Sequence, residues 1–289
     1  MTTENQDTPS LSAQIRVAYM TQPKERIPIP TVNWNPVTYD RLAMPHRDWA
    51  AEIVRQLPIS TSDCIMDAGC GTGYMTAMVA ERVPDGSVIA VDICEPMLAF
   101  GIESGKLKHP HIRVLCADLL DLPLHQEIDG IFSNAVFHWI LDQRMLFSSL
   151  FDCLKDGGWL VAQAGGGPNM SSLLQDVYAL QRSSPYAPYF ADWNEPWTFV
   201  NEEEMRNNLL EAGFDGINVT LEARPVQFGT VAEYCQYLRE IVLRPYLAKL
   251  PPELQEAFLN VLGEYSRSKA RPLEVDYCRV NLSARKPML

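Results

Sequence analysis

Between residues 64 and 164 short apolar runs alternate with segments whose apolar residues recur at helical spacing. The runs CIMDA, SVIAVDI, IRVLCADL, IDGIFSN and GGWLVAQA are four to eight residues long, β-branched and almost continuously apolar, which is the pattern of strands buried on both faces. Between them, Tyr74 to Val83, Pro96 to Leu107 and Asp142 to Leu154 read as helices, each stopping near Gly, Pro or Asp. A further helix over Asp48 to Leu57, apolar at Trp49, Ile53, Val54 and Leu57, ends at Pro58 and feeds the first strand. Alternation of this kind predicts βαβ units on a parallel sheet with right-handed crossovers.

After Pro168 the alternation breaks. Ser171 to Leu180 reads as helix, Ser183 to Pro196 as an aromatic, proline-rich loop, and Glu202 to Ala212 as a helix closed by Gly213. A strand over Gly216 to Ala223 is followed by helical runs at Val231 to Tyr246 and Pro252 to Tyr265, then a last strand over Val275 to Ala284. The first thirty residues end in RIPIP and read as an arm, with a short helix around Leu11 to Met20 and then extended chain. The expected division is an arm over 1–47, an α/β core over 48–167, and completion of the sheet over 168–289. Lid insertions at 168–215 and 230–268 would lie over the carboxyl ends of the strands, where open α/β sheets bind ligands.

Composition narrows the chemistry. A net charge of −12 over 289 residues gives no long-range attraction for nucleic-acid phosphates or an anionic membrane surface, so a small-molecule acceptor is expected and neither nucleic acid nor membrane is. No apolar run approaches the ~20 residues that span a bilayer, and the polar start MTTENQDTPS lacks a secretory signal pattern, so a cytoplasmic location is expected. The seven cysteines form no close C-x-x-C pair; they are expected as reduced thiols, with no metal site.

The candidate chemistry sits at Ile65-Met66-Asp67-Ala68-Gly69-Cys70-Gly71-Thr72-Gly73: a strand, an acidic residue and three glycines before a helix. Glycine permits a sharp turn with positive φ and close approach of a ligand. The spacing is G-x-G-x-G, whereas the dinucleotide fingerprint requires G-x-G-x-x-G and here meets Tyr74. Asp67 would repel a pyrophosphate but suits an ammonium group, which disfavours a nicotinamide-dependent oxidoreductase. Asp92 ends the next strand, where one carboxylate can accept both hydroxyls of a ribose.

This pattern resembles motif I of the class I methyltransferases. The resemblance implies a Rossmann-like, seven-stranded, mostly parallel sheet and S-adenosylmethionine as cofactor. It further implies that Asp67, Gly69, Cys70, Gly71 and Gly73 face the amino-acid end, Asp92 with Ile93 and Met97 the ribose side, and Ala117, Asp118 and Leu119 the adenine. Asn134 would face the methionine end, and Tyr19 would fold over from the arm.

Three further stretches resemble the trans-aconitate methyltransferases and, more loosely, the juvenile hormone acid methyltransferases: Asn33 to Tyr39, Asn134 to Ile140, and Leu243 to Leu247 with Leu250 to Glu253. Both groups methylate carboxylates, so an O-methylated carboxylic acid is the expected acceptor. A carboxylate is ionised at neutral pH, its pKa lying near ~4, and needs no base. Arg244 is then the candidate cation, since a guanidinium grips a carboxylate bidentately, with Arg41 and Arg144 weaker on the same logic. Trp34, Tyr39, His46, His138 and Trp139 complete the candidate acceptor pocket. If the acceptor is instead a hydroxyl, amine or carbon, His138 is the candidate base and His46 the second. A methyltransferase-like protein that binds cofactor without turnover is the other alternative.

Overall fold

The computed structural model describes residues 15–17, 36–42 and 51–288. Its main sheet holds strands β1 (Ile15–Val17), β2 (Cys64–Ala68), β3 (Ser87–Asp92), β4 (Ile112–Cys116), β5 (Ile128–Asn134), β6 (Leu154–Gly165), β7 (Asp215–Ala223) and β10 (Cys278–Arg285). The order across the sheet is β1-β4-β3-β2-β5-β6-β10-β7. From β1 to β6 every pairing is parallel, and β10 runs antiparallel between β6 and β7. The expected seven strands are therefore present, with β1 added at the edge. That addition corrects the helix expected around Leu11 to Met20: Ile15–Val17 lies in register with Val114 to Cys116 and satisfies backbone groups on the open edge of β4.

Period-two alternation sorts the strands between two cores. Met66, Ile89 and Ile131 point to one face, where they pack with Leu146, Phe147 and Leu150 of α4 (Gln143–Cys153) and Met205 and Leu209 of α6 (Glu202–Glu211). Ile65, Val88 and Phe132 point to the other, against Val54 of the helical residues 51–56 and Met75 and Val79 of α2 (Tyr74–Ala80). The remaining flanking helix, α3 (Glu95–Glu103), packs Leu98 and Ile102 on Ala90 and Val114.

A third cluster is the lid. It joins α5 (Ser171–Gln181), the loop around Phe190 and Trp197, α7 (Val231–Tyr237), α8 (Arg244–Leu247) and α9 (Pro252–Arg267). Helix α6, assigned from sequence to the first insertion, packs instead on the sheet through Met205 and Leu209. The single helix expected over Val231 to Tyr246 is broken. Leu238–Val242 is a π turn closed by Leu243 N–H on the carbonyl of Leu238, and α8 restarts around Pro245, which has no N–H to donate. The strand expected over Val275 to Ala284 is also divided: β9 (Glu274–Val275) pairs with β8 (Val226–Gln227) in a separate ribbon. Between β9 and β10, Asp276 accepts the Ser172 and Leu173 N–H groups that open α5. Among the described residues no helix is long and apolar enough to cross a membrane.

Candidate active site

At the carboxyl end of β2 the chain turns through three glycines with positive φ: Gly69 at 84°, Gly71 at 55° and Gly73 at 83°. The N–H groups of Gly69 and Cys70 both donate to Val91 O, at 2.8 and 2.9 Å, which ties the turn to β3. A Cβ on Gly69 would lie 2.3 Å from Val136 Cγ2, and one on Gly73 would lie 2.3 Å from Leu107 Cδ2. Both positions exclude a side chain by space as well as by backbone conformation. Above Gly71 the nearest atom to such a Cβ is Met97 Cε at 3.5 Å, so the middle of the turn keeps an open front.

Two carboxylates flank this turn. Asp92 ends β3 with Oδ2 accepting the Gly71 N–H and Oδ1 the Cys94 N–H, each at 2.8 Å. Burial raises its pKa above the ordinary carboxylate range, and those backbone donors oppose the rise. Asp67 is 3% exposed and accepts the Thr76 hydroxyl at 2.6 Å. Burial lifts it to about 7, the Thr76 hydrogen bond pulling down and the Asp92 charge pushing further up. At neutral pH Asp67 is thus divided between its two forms, and an ammonium group beside it would drive it to the carboxylate. The Cys70 thiol is held protonated, since burial first and the two aspartates next push its pKa well up.

Next to Asp92 in sequence, Ile93 leaves 54% of its surface exposed, while Met97, Ala117 and Leu119 are buried. Ala117 N–H donates to Asp92 O, and Asp118 Oδ1 accepts the Leu120 N–H, so the third strand end is pinned beside the second. The arm reaches the same place. Asp40 of α1 (Pro36–Leu42) accepts the Thr72 hydroxyl at 3.1 Å and the Lys106 ammonium at 2.6 Å, docking α1 on the glycine turn. Tyr39 falls within α1; Tyr19, Trp34 and His46 lie outside the described residues.

The other side of the site begins where β5 ends at Asn134. Ala135 takes a φ of 61°, and the short 3₁₀ turn Phe137–Trp139 follows. The His138 ring is 5.3 Å from Trp139 and 5.9 Å from Phe199, and its Nδ1 accepts the Gly165 N–H at 3.3 Å. A backbone N–H can only donate, so Nδ1 carries no hydrogen in this arrangement and the neutral imidazole carries it on Nε2. Trp139 leads into an aromatic wall through Trp197, which stacks on Phe199 and meets Tyr246 of α8. Glu195 fastens that wall, accepting Tyr246 Oη–H at 2.5 Å and Trp193 Nε1–H at 3.1 Å.

Of the arginines expected to grip an anion, Arg244 and Arg144 form ion pairs, and the side chain of Arg41 lies outside the described part of the structure. Arg244 forms an ion pair with Glu240 one turn earlier at 3.2 Å, and Arg144 is 74% exposed and paired with Glu211. The sequence reading missed Arg279. It is 2% exposed, with Nε donating to Gln163 Oε1 at 3.3 Å and Nη2 to Asn134 Oδ1 at 3.2 Å. The signal in the sequence was weak: Arg279 is the second residue of CRVNLSAR, a run that also carries Asn281, Ser283 and Arg285.

Residues 65–158 match the family model described as a methyltransferase domain. The chain is 29% identical over 266 residues to a trans-aconitate 2-methyltransferase of Methylobacterium radiotolerans, covering 88% of this chain and 98% of that protein. It is also 29% identical over 215 residues to a malonyl-[acyl-carrier protein] O-methyltransferase of Acetivibrio thermocellus, covering 72% and 74%. Among solved structures, phosphoethanolamine N-methyltransferase 2 of Haemonchus contortus in complex with S-adenosylhomocysteine superposes with a TM-score of 0.58 at 19% identity; the match covers 89% of this chain and 58% of that one. The glycine turn, the acid on the neighbouring strand and the methyltransferase domain over residues 65–158 agree: the chain is an S-adenosylmethionine-dependent methyltransferase, similar in sequence to the trans-aconitate 2-methyltransferases.

Proposed function

We propose that the enzyme methylates a carboxylate oxygen of a small organic acid. The observation that carries this reading is the His138 ring: its Nδ1 accepts the Gly165 N–H, so the lone pair of the neutral imidazole is already engaged. A hydroxyl or amine acceptor would need a proton removed, and His138 could accept one only at the nitrogen that Gly165 already occupies. A carboxylate arrives ionised, requires no base, and accepts a donated hydrogen bond. The activities named for the two relatives, on trans-aconitate and on malonyl-[acyl-carrier protein], support the same acceptor class.

The residues present fit the cofactor. The open front of the turn at Gly71 admits its amino-acid end, Asp67 suits its ammonium group, and Asp92 with Ile93 suits the ribose and the base beyond. Asp118, Ala117 and Leu119 are proposed to border the adenine. When bound, S-adenosylmethionine supplies a methyl group on a positively charged sulfur. The task left to the chain is alignment and exclusion of water: His138 orients the acceptor, the wall of Trp139, Trp197 and Phe199 keeps the pocket apolar, and α1 holds the turn through Asp40. Tyr19, Trp34, Tyr39 and His46 are proposed to close the pocket from the arm.

The test is methyl-labelled S-adenosylmethionine offered with a panel of carboxylic acids, phenols and amines. The expected product is a methyl ester, recognised because mild base releases the label as methanol. Label transferred only to phenols or amines, in base-stable form, overturns the reading.

A further inference from the structure

We infer that Asn169 donates a hydrogen bond to the carboxylate of the acceptor and helps to select it; this rests on the carboxylate reading above. Asn169 lies between β6 and α5, where the chain leaves the sheet for the lid. β6 runs parallel to β5 with Gln163 opposite Asn134, so its end stands at the same carboxyl edge of the sheet as the glycine turn. The side chain of Asn169 turns back toward that edge. Its Nδ2 is 2.7 Å from where a Cβ on Gly165 would stand, and Phe199 Cε1 is 2.9 Å from the same point. Gly165 is also the residue whose N–H bonds the His138 ring, and that ring is 5.9 Å from Phe199. The amide, the imidazole and the phenyl ring therefore gather round one glycine, which makes room for them by carrying no side chain.

The orientation of the amide is fixed. Asn169 Oδ1 accepts the Cys278 N–H at 2.8 Å, and a backbone N–H can only donate, so the other end of the group is the NH2. Asn169 is 3% exposed, and among the described residues nothing accepts a hydrogen bond from its Nδ2. A buried donor left without a partner is costly. Holding Cys278 requires an acceptor and no donor, so the bond to Cys278 does not account for the NH2 group, whereas a ligand that accepts from it in front of Gly165 does. A carboxylate is such a ligand, and a hydrogen bond to an ionised acceptor is stronger than one between neutral groups. A neutral donor also suits an enzyme whose product is an ester. The bond is charge-assisted while the acid is bound and becomes neutral-to-neutral once the oxygen carries the methyl group, so substrate is held more tightly than product.

The experiment measures steady-state methylation of the acids the wild-type enzyme accepts, with trans-aconitate in the panel, alongside S-adenosylhomocysteine affinity by calorimetry. Asn169→Asp separates the two roles of the side chain: it keeps an oxygen for the Cys278 N–H, removes the donor and sets a negative charge against the acceptor. It is expected to raise KM for the acid on the order of 100-fold, as juxtaposed like charges do, with kcat changed less and S-adenosylhomocysteine affinity unchanged. A residue that only held Cys278 would leave KM where it was. Asn169→Ser covers the case in which Asn169→Asp does not fold. Its shorter hydroxyl carries no charge and no longer reaches the acceptor, so KM should rise about 10-fold through one lost hydrogen bond to a charged group. A wild-type KM in Asn169→Asp or in Asn169→Ser, or cofactor affinity falling in step with KM, overturns the proposal. If the wild-type enzyme methylates no acid at all, the carboxylate reading has failed and takes this one with it; if it methylates acids and Asn169 variants do so equally well, only the Asn169 assignment fails.

Discussion

The glycine turn, proposed to hold the cofactor, and the aromatic wall, proposed to line the acceptor side, are built on opposite principles. The turn is contiguous, nearly free of side chains, and held by backbone contacts such as Gly69 and Cys70 N–H on Val91 O. The wall is assembled from large side chains that are distant in sequence: His138 and Trp139 after β5, Trp193 to Phe199 in the loop, and Tyr246 in the lid. The difference follows from what each half must bind. A backbone cradle needs conformations that only glycine tolerates, so the same short string serves many acceptors; a pocket for a particular acceptor needs shape, and shape comes from side chains that can change independently.

The contrast predicts that substitutions in the turn act on cofactor and fold together, whereas those in the wall separate them. The largest effect is expected at Gly69→Ala. Its Cβ falls against Val136 at a left-handed φ, so unfolding free energy should drop by about 2–5 kcal/mol, summing backbone strain and overpacking, with loss of S-adenosylhomocysteine binding. Denaturant titration and calorimetry read both, and a stable, cofactor-competent variant would break the contrast.

Next in size is the pH dependence set by Asp67. Its pKa is raised from 3.8 unfolded to about 7 folded, so the folded state binds the extra proton. That contribution is complete below about pH 4 and is lost as pH rises toward 7. The cofactor-free protein should therefore lose urea stability across this window, by a few kcal/mol at most, and Asp67→Asn should flatten the slope. Affinity for S-adenosylhomocysteine should run the other way, rising with pH and releasing a proton on binding; a release that does not change between wild type and Asp67→Asn would remove Asp67 from the ammonium site.

Asp92→Ala should weaken cofactor affinity by about 1–3 kcal/mol through lost hydrogen bonds to a charged group, and unchanged affinity by calorimetry would contradict the ribose assignment. On the wall, Tyr246→Phe removes the hydroxyl that donates to Glu195 and should lower stability by about 1–2 kcal/mol while leaving S-adenosylhomocysteine affinity intact. A parallel loss of affinity would show that lid and turn are not separable. The smallest effect belongs to Asp40→Ala: it releases the arm from Thr72 and Lys106, a partly exposed ion pair worth at most about 1 kcal/mol, and should appear as faster cofactor dissociation in stopped flow.

Legibility from sequence divides along the same line. The five core strands and their helices read out because fully buried parallel strands are apolar on both faces and because Asp142 and Gly213 mark helix ends by local chemistry; Asp142 does cap α4 through Met145 N–H. The lid was harder. Nothing local in Val231 to Tyr246 announces the π turn at Leu238–Val242, and the division of the last strand at Asp276 depends on that residue capping a helix more than a hundred positions earlier.

What the chain determined by itself is whatever depends on neighbours along the backbone: strand and helix alternation, the G-x-G-x-G turn, and an acid ending each of two adjacent strands. What only the tertiary structure decided depends on groups brought together across the sheet. The ring nitrogen that His138 commits to Gly165, the pairing of Arg244 with Glu240, and the burial of Arg279 between Gln163 and Asn134 are of that kind. Charge and hydrogen-bond state are properties of a side chain's surroundings rather than of its type, so the cofactor cradle can be read from a string of residues and the acceptor chemistry requires the fold.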